Sequence, residues 1–228
     1  MSCESTEKKL EAKNKAAIET PKGKHSYAVG TDLAKRMDRI EVDLDLDLVL
    51  QAIKDHRDAA KTPLMNDSQI AVAWQELMTE IRNFRMAKDS AKAIENLALQ
   101  TGFLSQNKGE ANVIVTESGL QYMVITEGSG EFAKDGDTVS VHYAGSLLDG
   151  TEFDSSVKRN QPINIAFSEN RLIKGWVEIL RLMKKGQKVK VWIPANLGYG
   201  ERGSPPTIPG NSLLIYEMEL LDLKHAKK

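Results

Sequence analysis

TVSVHYAGSLLDG, residues 138–150, decides how the chain is read. Val139, Val141 and Tyr143 alternate with Ser140, His142 and Ala144. That period of two belongs to a strand with one buried face, and the Asp149–Gly150 pair is a turn signal. His142, between Val141 and Tyr143, is expected to face solvent. The same texture recurs downstream. Leu120–Thr126, Ile163–Phe167, Lys188–Ile193 and Leu213–Leu221 read as strands, with a further turn at Pro209–Gly210. A single short helical pattern interrupts them, carried by Leu172, Ile173, Trp176, Ile179 and Met183. An antiparallel sheet with one helix to cover a face makes this part α+β.

Upstream the texture is different. Of 16 glycines only Gly23, Gly30 and Gly102 precede residue 108, and five of the seven prolines lie beyond residue 160. Glycine and proline punctuate turns, and their scarcity permits long helices. Asn66 and Gln69 have the spacing of a capping box. No glycine or proline then follows until Gly102. Ile70, Trp74, Leu77, Ile81 and Phe84 recur at helical steps, and Ala87, Ala91, Ile94 and Ala98 continue the stripe after a slip. A helix from 67 to about 107 is roughly 60 Å long at ~1.5 Å per residue. It is expected to connect two bodies.

Before it, Tyr27, Leu33, Met37 and Ile40 form one apolar face, and Leu46, Val49, Leu50 and Ile53 another. Asp43, Asp45 and Asp47 suit the start of the second helix, where acids complement the helix dipole. Their spacing also opens a calcium loop, but Leu48 and Lys54 stand where that loop requires Gly and Glu. Some forty helical residues are too few to be stable alone, so these faces are expected to pack on a second copy or on polypeptide clients. Residues 1–24 are charged, lack aromatics and include Pro21 and Gly23, as expected of a flexible polar tether.

Composition narrows the function. With 31 basic and 32 acidic side chains the formal net charge is −1, which argues against a binder that relies on neutralising phosphates; no nucleic-acid partner is expected. Lys184, Lys185, Lys188 and Lys190 read as a solvated edge. The one cysteine excludes an internal disulfide and a Cys-rich zinc site. No apolar run is long enough to span a bilayer. The histidines at 25, 56, 142 and 225 are scattered, so no metal site is expected. Nucleophile-elbow, zincin and phosphate-loop motifs are absent. Gly128–Ala133 matches a dinucleotide loop only superficially, because KDGD follows it.

What remains is a concentration of aromatic and branched residues beside glycine turns. VHYAGSLLDGTEFDSS (141–156), LIKGWVEIL (172–180), LGYGERGSPPTIPGNSLLIYEMELL (197–221) and SGLQY (118–122) resemble the FKBP-type peptidyl-prolyl isomerases. The helical first half resembles the dimeric bacterial branch of that family, the macrophage infectivity potentiators and their periplasmic relatives. The resemblance implies a sheet of five or six antiparallel strands wrapped around a short helix. An all-α dimerisation domain (25–66) and a connecting helix (67–109) would precede an isomerase domain (110–228).

By motif, the resemblance implies a cavity in which Tyr199, Asp154, Phe153 and Trp176 act on the substrate. Tyr143, Leu172, Ile173, Ile208, Tyr216 and Ile163 would bind it, with Trp176 as the floor beneath the proline ring. Ile163 or Ile165 takes a position often held by phenylalanine, and so does Tyr216. Ser204 and Thr207 stand in a loop where bulkier residues are common. The implied activity is rotation about X–Pro bonds without cofactor or metal. Tyr199 would donate a hydrogen bond, and Asp154 would either meet the displaced carbonyl or hold its neighbours. The implied partners are proline-containing clients, a second copy through residues 25–66, and macrolides of the FK506 and rapamycin type. A binding module that keeps the fold without turnover is the rival reading. Location has two readings as well. The polar residues after Met1 suit the cytoplasm, whereas a lipidated Cys3 on a polar tether suits a periplasmic protein anchored at the outer membrane.

Overall fold

The structure, a computed structural model, describes residues 13–134, 136–167 and 172–225. Cys3, and with it the expectation of a lipid anchor, lies outside the described residues. The chain divides into two compact units, one ending at Arg85 and the other beginning at Met86.

In the first unit residues 13–18 are helical and helix α1 spans Pro21–Met37. This corrects the expected tether over 1–24 for the part that is described. Pro21 and Gly23 start the helix instead of preventing one. Pro21 occupies the first turn, where a missing N–H costs nothing, and the Thr20 hydroxyl oxygen accepts from the Gly23 N–H at 3.0 Å. A 3-10 turn, Asp38–Ile40, and Glu41 at φ 58° then reverse the chain. The Arg85 guanidinium holds that turn, reaching Glu41 at 3.3 Å and the Arg39 carbonyl at 3.1 Å.

Helix α2, Leu46–Arg57, starts where the aspartates predict. Asp45 Oδ1 accepts from the N–H groups of Asp47 and Leu48 at 2.9 and 3.1 Å. Helix α3 runs unbroken over Asp67–Asn107 behind the expected capping box, in which Asn66 and Gln69 exchange reciprocal 2.9 Å bonds. Among the described residues of the first unit, Ile81 is the one buried apolar side chain, while Tyr27, Val29 and Leu46 are 68, 71 and 62% exposed. The apolar faces are there, but the described residues of the unit bury little apolar surface of their own.

The second unit is built on a seven-stranded antiparallel sheet. Its strands are β1 (Ile114–Val115), β2 (Gln121–Thr126), β3 (Thr138–Ser146), β4 (Glu152–Ser155), β5 (Ile163–Ala166), β6 (Lys188–Ile193) and β7 (Leu214–Lys224). The order is β1-β2-β6-β7-β3-β4, with β5 also paired to β3. The short strands β1 and β4 raise the count above the five or six that the resemblance implies. Helix α4, Lys174–Leu182, crosses the inner face and buries Trp176, Val177, Ile179 and Leu180 against Val139, Val141, Val191, Ile193 and Met218. Gly175 permits this approach, since a Cβ there would lie 2.3 Å from the Ile193 side chain.

His142 is half-buried rather than solvent-facing, with Nδ1 3.0 Å from the Ser156 hydroxyl. The lysines of β6 and the turn before it are paired: Lys185 with Asp222 at 2.7 Å and Lys188 with Glu217 at 3.3 Å, while Lys184 and Lys190 lie over Phe132 and Trp192. Around Gly128 the chain packs on its own neighbours, with the Ser129 N–H bonded to the Lys185 carbonyl at 2.9 Å.

The last turns of α3 belong to the second unit, and they dock through amides. Asn96 donates to the Gly210 carbonyl at 2.9 Å, Gln100 accepts from the Ala195 N–H at 3.1 Å, and Asn107 donates to Gln121 at 2.8 Å. Gln121 donates in turn to the Leu104 carbonyl at 2.9 Å. The small-residue stripe expected to continue the apolar face turns outward, with Ile94 70% exposed. Buried amides are costly once a partner is lost. Gln121→Leu, which strands the Asn107 side-chain amide, should therefore destabilise the unit by about 1–3 kcal/mol. Thermal unfolding followed by circular dichroism checks this, and an unchanged midpoint would show that the amides contribute nothing.

Candidate active site

Six pieces of the second unit converge on a cavity of about 660 Å³. Strand β3 supplies Tyr143 and β4 supplies Phe153 and Asp154; β5 supplies Ile163 and Ile165, and β7 supplies Tyr216. Leu172 and Ile173 precede α4, which carries Trp176. The loop after β6 adds Tyr199, Ser204, Pro205, Thr207 and Ile208. All ten cavity residues expected from the sequence line this one space. Ile163 and Ile165 do so together because they stand two apart on one strand, paired with Val141 and Val139.

The floor and walls are aromatic rings set edge to face. Trp176 lies 5.0 Å from Tyr143 and 5.3 Å from Tyr216, and Phe153 lies 5.5 Å from Tyr216, with interplanar angles of 80, 83 and 88°. Such pairs add about 0.5–1.5 kcal/mol beyond their burial. Gly145 makes the arrangement possible: a Cβ there would lie 2.6 Å from the Tyr216 ring and 2.7 Å from that of Phe153. The glycine was legible as part of a motif, but its reason was not.

The rim is shaped by a loop closed on itself. The Ser204 N–H donates to the Ile208 carbonyl at 2.7 Å, and the Ile208 N–H to the Ser204 carbonyl at 3.0 Å. Gly203, at φ 65°, sits against Ile208 and Pro209 where no side chain would fit.

The polar groups are few and distinct. Tyr199 is 40% exposed, and its hydroxyl bonds to no other described residue. Burial, followed by the negative charge of Asp154, raises its pKa. Burial raises that of Tyr216 much further. Both hydroxyls therefore stay protonated, as donors, above the pH of about 10 at which a free phenol ionises. The indole N–H of Trp176 is buried with no acceptor among the described residues.

Asp154 is not alone. Its carboxylate accepts from the Tyr143 hydroxyl and from Arg159 in two close contacts. Arg159 had no place in the sequence reading, since a lone arginine in a turn carries no signal of its own. Its relevance appears only when the hairpin folds. The site thus offers an apolar seat, an exposed phenol donor and a neutralised carboxylate. That combination suits binding and distortion of a neutral group.

Known proteins resemble the chain over both of its halves. Residues 129–221 match the family model of the FKBP-type peptidyl-prolyl cis-trans isomerase. Residues 22–124 match that of the domain amino terminal to FKBP-type peptidyl-prolyl isomerase. The outer membrane protein MIP of Legionella longbeachae is 34% identical over 217 residues, covering 95% of this chain and 92% of that protein. The FKBP-type peptidyl-prolyl cis-trans isomerase FkpA of Escherichia coli K12 is 36% identical over 225 residues, covering 95% and 81%. The crystal structure of FkpA from Escherichia coli superposes with a TM-score of 0.76 at 34% identity, covering 92% of this chain and 100% of that one. With both halves matched and the cavity assembled from the motif residues, the chain belongs to the FKBP-type peptidyl-prolyl cis-trans isomerases.

Proposed function

We propose that the aromatic cavity of the second unit is where rotation about X–Pro bonds is accelerated, with the proline ring seated on Trp176. The observation that carries this is the edge-to-face group of Trp176, Tyr216, Tyr143 and Phe153 beneath the exposed Tyr199 hydroxyl. A peptide bond resists rotation by about 18–20 kcal/mol because resonance keeps it planar. Uncatalysed X–Pro exchange takes tens of seconds. Reaching milliseconds needs roughly 5.5 kcal/mol of differential stabilisation. No covalent bond breaks, so the site needs neither nucleophile nor general base. In the twisted transition state the amide loses resonance and its carbonyl is less polar. An apolar seat therefore disfavours the planar form more than the twisted one. Tyr199 supplies a hydrogen bond to a substrate carbonyl at the rim. Macrolides of the FK506 and rapamycin type would occupy the same seat.

For the first unit we propose self-association and client binding. Helices α1 and α2 leave Tyr27, Val29, Leu46 and Leu48 exposed, and pairing with a second copy through residues 25–66 would cover them. Two catalytic units per dimer would raise the effective concentration seen by a client that touches both. Residual apolar surface on these helices would hold unfolded segments. No helix among the described residues is long and apolar enough to cross a membrane. A relative named as an outer membrane protein supports placing the chain in the periplasm.

Two measurements test these readings. In a proline-peptide isomerisation assay on the full chain, Tyr199→Phe should lower kcat/KM by about 5- to 10-fold, the worth of one hydrogen bond of ~1–1.5 kcal/mol. Undiminished activity removes the donor role, and a folded wild type that fails to accelerate exchange removes the whole reading. In sedimentation equilibrium the 25.3 kDa chain should run as a dimer. The double variant Tyr27→Glu/Leu50→Glu should run as a monomer while turning over short peptides normally. A monomeric wild type would refute self-association.

A further inference from the structure

The loop that brings Tyr199 and Ile208 to the cavity returns toward β7 through residues 209–212, and that return is bonded to helix α3. Asn211 has a left-handed backbone, φ 53°, which asparagine tolerates better than most residues. Its two donors serve different partners. The backbone N–H donates to the carbonyl of Gly200, the residue after Tyr199, at 2.9 Å. The side-chain amide donates to the Ala93 carbonyl of α3 at 3.1 Å. One residue thus joins the helix to the segment that holds the Tyr199 phenol.

A second amide reinforces the first. Asn96, three residues further along α3, donates to the Gly210 carbonyl at 2.9 Å and to the Ser212 hydroxyl at 3.3 Å. The Ser212 hydroxyl in turn donates to the Pro209 carbonyl at 2.8 Å. Gly210 is held closely between its neighbours. A Cβ there would lie 2.0 Å from the Glu201 carbonyl oxygen and 3.0 Å from the Ala93 methyl group. Glu201 belongs to the 3-10 turn Gly200–Arg202, directly after Tyr199.

Packing alone does not hold this stem. Against Pro209 and Leu213 lies a cavity of about 290 Å³, bordered also by Leu99 of α3 and by Leu147 and Leu148 of the β3–β4 turn. With space rather than close-packed atoms beside it, the stem takes its position from direction-specific bonds. The far part of the loop is closed on itself by the Ser204–Ile208 pair, so a shift of the stem carries the rim with it.

We propose that Asn96 and Asn211 are positioning residues of the active site, which latch the rim loop to α3 and so fix where the Tyr199 hydroxyl and the Ile208 wall stand. This rests on reading the cavity as the isomerase site, and extends it by making the connecting helix a part of that site's geometry. Neither asparagine lines the cavity. Both act through the loop. A hydroxyl stabilises a substrate carbonyl only within hydrogen-bond reach, and a misplacement of about 1 Å can cost up to ~100-fold. Cutting the latch spreads the Tyr199 hydroxyl over several positions, of which only some meet the substrate.

The test uses Asn96→Ala/Asn211→Gly in the full chain. Glycine keeps the left-handed backbone at position 211 and removes only the side-chain donor. With a short proline peptide, kcat/KM should fall about threefold to fivefold. In a Tyr199→Phe background the same two changes should cost less than about twofold, because groups acting through one another are not additive. Gln121→Leu, which cuts an amide contact of the same helix away from the loop, should turn over the peptide as the wild type does. In hydrogen exchange, the amides of Ser204, Ile208 and Asn211 in the double variant should accelerate about tenfold more than those of β3. Undiminished turnover, a loss that multiplies fully with Tyr199→Phe, or an equal loss in Gln121→Leu would each overturn the proposal. Should the double variant fail to fold, Asn211→Gly alone carries the same measurements. A wild type without isomerase activity would instead sink the reading of the cavity, whereas unaltered exchange in the loop would sink the latch by itself.

Discussion

The second unit depends on one helix covering one sheet. Helix α4 offers nine residues, and five of them are buried, so almost every turn is committed to the inner face. Gly175 lets the backbone approach Ile193, and Trp176, on the next residue, is carried into the centre of the sheet's concavity. Fully burying a branched or aromatic side chain is worth about 1.5–3 kcal/mol. The contact that stabilises the unit therefore also sets the height and tilt of the cavity floor. Stability and site geometry cannot be varied separately here, because the same rings serve both.

Polarity is distributed to match. Around the apolar seat the hydroxyls of Tyr199 and Tyr216 are neutral, and the one carboxylate is paired with a guanidinium. Water excluded from such a seat strengthens whatever electrostatic contact a bound peptide makes at the rim. On the other side of the sheet, Lys188 is ion-paired diagonally with Glu217 across β6 and β7, and the long helix is held by amides. Amides specify a docking geometry by direction, where an apolar stripe would permit sliding.

Much of this was legible in the sequence because the physics is local. Period-two alternation marked Lys188–Ile193 residue for residue. Asn66 with Gln69 marked the start of the long helix, and Asp45 that of the helix before it. Motif order placed ten cavity residues together before any coordinates. Longer-range causes were hidden. Pro21 looked like a terminator because its meaning depends on Thr20 capping the turn that follows. Strands of two and four residues, Ile114–Val115 and Glu152–Ser155, carry no period. The stripe of Ala87, Ala91, Ile94 and Ala98 suggested an apolar contact, whereas the docked face uses Asn96, Gln100 and Asn107, which read as solvent-exposed in any hydropathy pattern. Arg159 was invisible for a similar reason: its partners lie on two strands of a hairpin, 5 and 16 residues away.

The amide-docked helix also bears on what constitutes a self-sufficient catalytic fragment. Sequence texture changes near residue 110, and a cut there looks natural. It would remove Asn96, Gln100 and Asn107, leaving the Gly210 carbonyl, the Ala195 N–H and the buried Gln121 without their partners. Phe103, whose ring lies 6.4 Å from that of Trp192, would be lost too, and the outer face of the sheet would be bared. The smallest piece that keeps every one of these bonds begins before Ala93, whose carbonyl accepts from Asn211 at 3.1 Å. The last turns of the long helix are in that sense structural parts of the enzyme.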